Sequence, residues 1–134
     1  MTNWIEEAWR IACETRLRAH APYSNFLVGA AVKPTDSSKI FGGCNVENAS
    51  YGGTVCAERV ALWNLVASVG KQPIQGVVLV TDTHPAAPPC GLCRQVMAEF
   101  ASPDFEVHFA NLSGVQKSIR FSELLPYPFD EELL

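Results

Sequence analysis

Two short runs, Thr54-Val55-Cys56-Ala57-Glu58-Arg59 and Pro89-Cys90-Gly91-Leu92-Cys93-Arg94, hold three of the five cysteines in this chain. Cys56 followed at a distance by a C-x-x-C pair has the spacing of thiolate ligands to one tetrahedral zinc ion. This restricts the fold severely, because helical patterns begin at both runs and the two helix starts must converge on a single point. Cys90 and Cys93, one helical turn apart, approach that point from one side and Cys56 from the other. Helix amino termini carry partial positive charge, which favours the thiolate form that binds metal.

A structural zinc site normally takes four protein ligands, whereas here three are supplied together with a carboxylate, Glu58, two residues after the first. Three protein ligands leave one position for water, which zinc makes acidic enough to give hydroxide near neutral pH. Glu58 is therefore assigned proton transfers rather than metal ligation. Three thiolates leave a zinc site at net negative charge, and Arg59 on the same helix start is the cation placed to offset it. Two rivals stand beside this reading. One is a structural zinc module with His84 as fourth ligand; the other is a Cys90/Cys93 redox dithiol, which leaves Cys56 and Glu58 without a purpose.

Along the chain, apolar residues Ile5, Ala8, Trp9, Ala12, Cys13 and Leu17 recur at helical spacing over about residues 2–20, and Pro22 ends the pattern. Residues 26–33 read as a strand of small residues against which something packs closely, and 39–45 as its hairpin partner. Cys44 reads as strand packing. Thr54 is the expected cap of a helix over 56–69 that Gly70 stops. That helix is apolar nearly all round, which implies burial on most sides and a subunit interface. Val77-Val78-Leu79-Val80 marks a central strand over 76–81, paired in parallel with the strand before the helix through a right-handed crossover. A third helix follows Cys90, with an apolar face of Leu92, Cys93, Val96, Met97 and Phe100, closed by Ser102-Pro103. Residues 105–110 and 115–121 form two strands joined by Asn111-Leu112-Ser113-Gly114, a turn short enough to make the last strand antiparallel. A helical turn at 122–125 leads to an extended tail.

The 134 residues predict one domain, 1–134. A net charge of -4 offers no basic footprint for nucleic acid. The acidic amino terminus, Met1-Thr2-Asn3-Trp4-Ile5-Glu6-Glu7, lacks the pattern of a signal peptide, and no run reaches the length of a membrane span. An odd number of cysteines at ligand spacing points to a reducing, cytoplasmic setting.

Cys56-Ala57-Glu58 with Pro89-Cys90-Gly91-Leu92-Cys93 is the all-cysteine form of the zinc deaminase signature. With Pro22-Tyr23-Ser24-Asn25-Phe26 and Glu123-Leu124-Leu125-Pro126 in the right order, nearly the whole chain resembles the cytidine deaminases, specifically the small homotetrameric nucleoside deaminases. The resemblance implies an α/β fold, a three-layer α/β/α sandwich around a five-stranded mixed sheet. It implies one Zn2+ per subunit on Cys56, Cys90 and Cys93, with Glu58 catalytic and Arg59 hydrogen-bonded to the ligand sulfurs. It also implies that Phe26 packs on the pyrimidine, the Ala57 backbone meets the base edge, and Asn45 and Glu47 hold the ribose 3′-hydroxyl. Phe129 would reach a neighbouring subunit's pocket and Tyr51 would line a shared boundary, so that a homotetramer has shared active sites. The expected reaction is hydrolytic deamination of cytidine and deoxycytidine to uridine and deoxyuridine in pyrimidine salvage. Another aminopyrimidine nucleoside, such as a blasticidin-type antibiotic, is the alternative substrate.

Overall fold

The computed structural model describes residues 3–134; the residue-2 start of the first expected helix and Met1-Thr2 lie outside the described residues. Helix α1 spans Trp4–Arg16, opened by the Asn3 side chain accepting from the Ile5 N–H, with Glu6 and Glu7 in the first turn and Arg16 in the last. It ends sooner than the expected residue 20. Three successive i→i+3 bonds, from Leu17, Arg18 and Ala19 to Glu14, Thr15 and Arg16, tighten the chain. That tightening carries Leu17 off the core stripe, and it is 74% exposed.

The strands are β1 (Val28–Pro34), β2 (Phe41–Cys44), β3 (Ile74–Thr81), β4 (Ala101–Asn111) and β5 (Gly114–Arg120), in sheet order β2-β1-β3-β4-β5. The β1–β2 hairpin and the antiparallel β4–β5 pair are as expected. The expected parallel pairing of the second strand with the third is not: β3 pairs antiparallel with β1 and parallel with β4. The hairpin places β1 between β2 and β3, and composition explains which strand takes the inner position. Ala30, Ala31 and Val32 of β1 are fully buried, whereas the short β2 alternates buried and half-buried residues as an edge strand does.

Period-two alternation on β3 sorts the core into two layers. Val78 and Val80 meet Ala8 and Ala12 of α1, while Val77 and Leu79 meet Ala61, Leu62 and Leu65 of α2 (Ala57–Val69) and Cys93 and Met97 of α3 (Gly91–Ala98). A mixed five-stranded sheet thus lies between α1 and the α2/α3 layer. The small residues of β1 serve this packing: a Cβ on Gly29 would sit 1.9 Å from the Ala12 carbonyl oxygen.

Both later helices depart from expectation at their ends. Cys56, not Thr54, caps α2, because the Thr54 hydroxyl is taken by the Asn48 N–H. The outer side of α2 is open within the chain, with Trp63, Val66 and Val69 exposed, so burial on most sides is not achieved by this chain alone. In α3 only Cys93 and Met97 are buried, and Leu92 faces outward. Ser102 does not close α3; it already belongs to β4, its hydroxyl donating to the Ile74 carbonyl. A helical turn, α4 (Phe121–Leu124), and a tail with a 3-10 turn over Glu131–Leu133 follow.

His108 on β4 lies in the α1 layer, with Trp4 edge-on at 5.5 Å and Nδ1 2.7 Å from the Ser118 hydroxyl. Its Nε2 is buried with no hydrogen-bond partner among the described residues, and burial holds the imidazole pKa below its ordinary value. The folded chain therefore keeps His108 neutral at a pH where the unfolded chain, titrating near ~6.5, already binds a proton. Stability is full above that value and is lost as pH falls from it toward the folded pKa. Denaturant titrations at pH 7.5 and 5.5 should show the native chain weakened at the lower pH and a His108→Phe chain weakened less. Equal weakening would assign the acid sensitivity to other groups.

Candidate active site

Cys56 and Cys90 are the caps of α2 and α3, and neither spends its sulfur on a side-chain cap bond. The sulfurs of Cys56, Cys90 and Cys93 all lie within 4.8 Å of one another. Cys56 Sγ and Cys90 Sγ are 3.7 Å apart. Two sulfurs each ~2.3 Å from a tetrahedral ion stand about 3.8 Å apart, so this spacing fits zinc. Soft thiolate donors suit the same metal.

The charges agree with the donor set. Hydrogen bonding with Cys93, assisted by Arg59 and Cys90, brings the Cys56 thiol down to about 5 against the opposing effect of burial. Cys93 is held high, chiefly by its bond to Cys56 and by burial, so it keeps its proton while no metal displaces it. Arg59 Nη2 donates to Cys56 Sγ at 3.4 Å. His84 takes no part: its Nδ1 lies 3.2 Å from Asn111 Nδ2. Among the described residues no fourth His, Cys, Asp or Glu joins the three cysteines, which removes the support for a closed structural site. Cys44 is half-buried in β2 and outside the cluster.

Glu58, in the first turn of α2, is 3% exposed. Burial pushes its carboxyl up to about 7, with the Cys56 charge adding to the rise and hydrogen bonds and Arg59 opposing it. A carboxyl at that value both takes and returns a proton at neutral pH.

A cavity of about 340 Å³ opens over this group. It brings together Phe26, Asn45, Glu47, Cys56, Ala57, Glu58 and Cys90 from the sequence expectations. The Asn45 amide is already engaged, donating to the Phe26 carbonyl at 2.7 Å and accepting from the Val28 N–H at 2.9 Å, so it also fixes the backbone that presents Phe26. Glu47 accepts from the Ser24 hydroxyl and from the Tyr23 and Ser24 N–H groups. The hydroxyl bond above all keeps its carboxyl below the ordinary range, ready to accept a donor as an anion. Phe26 is 44% exposed at the cavity mouth.

Tyr51 and Phe129 lie outside this cavity in their own chain. Tyr51 stands edge-on to Tyr23 in an adjoining depression that shares Ser24, Glu47 and Thr54 with it. Phe129 is exposed on the tail, its carbonyl accepting from Gln95 Nε2. Sequence reasoning missed Thr81, a buried cavity residue at the end of β3; the available signal was a polar residue closing an otherwise apolar central strand. A larger cavity of about 430 Å³, between the end of α3, α4 and the tail, contains none of the cysteines and no Glu58. The chemistry belongs to the smaller one.

Residues 2–109 match the family model described as the cytidine and deoxycytidylate deaminase zinc-binding region. The chain is 47% identical over 121 residues to a cytidine deaminase of Halalkalibacterium halodurans, covering 90% of each sequence. It is 40% identical over 119 residues to one from Sporosarcina psychrophila, covering 89% of this chain and 86% of that one. The crystal structure of cytidine deaminase from Burkholderia pseudomallei superposes with a TM-score of 0.85 at 44% identity, covering 96% of this chain and 100% of the other. The Mycobacterium tuberculosis cytidine deaminase structure gives 0.80 at 32% identity, covering 97% and 99%.

Proposed function

Because the chain belongs to the cytidine and deoxycytidylate deaminase family, we propose that it hydrolyses cytidine and deoxycytidine to uridine and deoxyuridine with release of ammonia. The observation that carries this reading is Glu58, a buried carboxyl near neutrality that lies beside a three-cysteine cluster and lines a cavity of about 340 Å³ together with Cys56 and Cys90. Zinc held by Cys56, Cys90 and Cys93, one per subunit, supplies Lewis acidity that brings a water molecule's pKa toward neutral.

Everything else falls to the chain. Glu58 takes a proton from the attacking water and delivers it to ring N3 as the new C4–O bond forms. It then passes the second proton to the amino group, so that the C4–N bond breaks with ammonia leaving and Glu58 returns to its starting state. Arg59, donating to Cys56 Sγ, offsets the excess negative charge of three thiolates. Phe26 covers the pyrimidine face and the Ala57 backbone meets the base edge, while Asn45 and Glu47 hold the sugar hydroxyl. The lowered carboxyl of Glu47 supports the last role, because an anion accepts a hydroxyl donor more strongly than a neutral acid does.

The unit of function is one domain, 1–134, assembled as a homotetramer in which Tyr51 and Phe129 complete sites across subunit boundaries. The exposed Trp63, Val66 and Val69 of α2 support such an assembly, since an isolated chain would leave that apolar surface in water. Its place is pyrimidine salvage in the reducing cytoplasm, a setting that suits five cysteines with no disulfide among them.

The test is ammonia release from cytidine, deoxycytidine and cytosine by the zinc-loaded protein. Turnover of both nucleosides and not of the free base is expected. Silence on all three would overturn the reaction, and equal turnover of the free base would remove the sugar contacts.

A further inference from the structure

Cys90 is the exposed member of the cluster, and the segment that delivers it from β3 is poorly equipped to hold itself in place. Residues 82–89 include Pro85, Pro88 and Pro89, which have no N–H to donate. Among the described residues they make no backbone–backbone hydrogen bond. Side chains at two strand ends hold the segment instead. Thr81, the last residue of β3 and 1% exposed, places its hydroxyl 2.8 Å from that of Thr83 and accepts from the Ala87 N–H at 3.4 Å. Asn111, the last residue of β4 and 2% exposed, donates Nδ2 to the Thr83 carbonyl at 3.2 Å and reaches His84 Nδ1 at the same distance.

Asn111 is itself immobilised from two further directions. Its Oδ1 accepts from the Ser113 N–H at 2.9 Å, within the β4–β5 turn, and its carbonyl accepts from Trp9 Nε1 of α1, also at 2.9 Å. At the far end of the segment Arg94 Nε donates to the Pro89 carbonyl at 3.0 Å. The two strand ends, the turn and α1 thus converge on the loop that ends at a metal ligand. Buried hydrogen bonds of this kind restrict a loop that has no ladder of its own.

We propose that Thr81 and Asn111 are positioning residues for the metal: by clamping the 83–89 loop they keep Cys90 on the cluster and so set how long zinc is retained. The proposal rests on the reading of Cys56, Cys90 and Cys93 as zinc ligands and is independent of which nucleoside is deaminated. Release of zinc begins with the departure of one ligand, and an unclamped Cys90 departs more often. Outer-shell partners of metal ligands are worth about 10- to 100-fold in affinity, and this clamp, acting through the loop, belongs at the lower end.

The experiment follows zinc transfer from the holoprotein to a chromophoric chelator for the native chain, Thr81→Val, Thr81→Ser and Asn111→Ala, with amide exchange at Ala87, whose N–H donates to Thr81, and a denaturant midpoint for each. Thr81→Val and Asn111→Ala should release zinc ~10-fold faster and lose protection in the loop, while Thr81→Ser, which keeps the hydroxyl, behaves as native. Should Asn111→Ala fail to fold, the Val/Ser pair at position 81 decides alone. Native release rates in Thr81→Val would overturn the proposal, as would equal acceleration in the serine chain or acceleration explained by a matching fall in global stability. A native chain that binds no zinc would overturn it together with the reading of the cluster. A chain that holds zinc, follows the expected order of release and leaves cytidine untouched would sink only the proposed reaction.

Discussion

Replacing Glu58 with glutamine is expected to leave zinc bound at one per chain and to slow ammonia release from cytidine by about 10²- to 10⁴-fold. The expectation follows from how little else the substitution changes. Glutamine has the shape of glutamate, so the packing around a side chain only 3% exposed is kept. Burial has already raised the carboxyl to about 7, so the pocket tolerates a neutral group there and loses no indispensable charge. The three sulfurs that could hold zinc belong to Cys56, Cys90 and Cys93, and Glu58 is not among that group. What the substitution removes is the carboxyl that the proposed mechanism uses to take a proton from water and give it to N3 and to the departing amine. Metal analysis and initial rates on the same preparation separate the outcomes. Full zinc with native turnover would take Glu58 out of the mechanism, whereas lost zinc would make it a ligand.

Gly43→Ala should be costly out of proportion to one methyl group. A Cβ at position 43 of β2 would stand 2.4 Å from the Ala61 nitrogen and 2.7 Å from the Ala57 carbonyl oxygen, both backbone atoms of α2. No rotamer change relieves such a contact, so the helix itself must move. Overpacking of this kind costs about 1–3 kcal/mol, against roughly 0.5–1 kcal/mol returned by the lower backbone entropy of alanine in the unfolded chain. The net is destabilising. The displaced helix carries Cys56 at its cap and Glu58 in its first turn, so zinc affinity and turnover should fall along with the denaturant midpoint. Gly52→Ala, where nothing lies within 4 Å of the added atom, is the control and should unfold at or slightly above the native midpoint, since the entropy gain is there unopposed. A native midpoint for Gly43→Ala would mean that β2 and α2 are packed more loosely than these distances require.

Both predictions concern residues that could be reached from the sequence in different degrees. Glu58 could be singled out because its pattern is local: a carboxylate two residues after a cysteine, at a helix start, needs no knowledge of distant contacts. The same holds for Cys90 and Cys93, one helical turn apart, and for the four-residue turn that makes β5 antiparallel. Gly43 was visible only as part of a strand, since what makes it indispensable is the backbone of a helix that begins at position 57. Leu17 and Leu92 fit apolar stripes by spacing, yet both face outward because their helices end or sit differently from ideal periodicity.

Sequence alone determined the three-cysteine group and the sense of the last strand, because each depends on spacing within one or two elements. Only the tertiary structure decided that β1 lies beside β3, that His108 is buried neutral, and that Thr81 and Asn111 converge on the loop bearing Cys90. These depend on contacts between segments far apart in the chain. Side-chain periodicity records which face of an element is buried, but not which other element covers it.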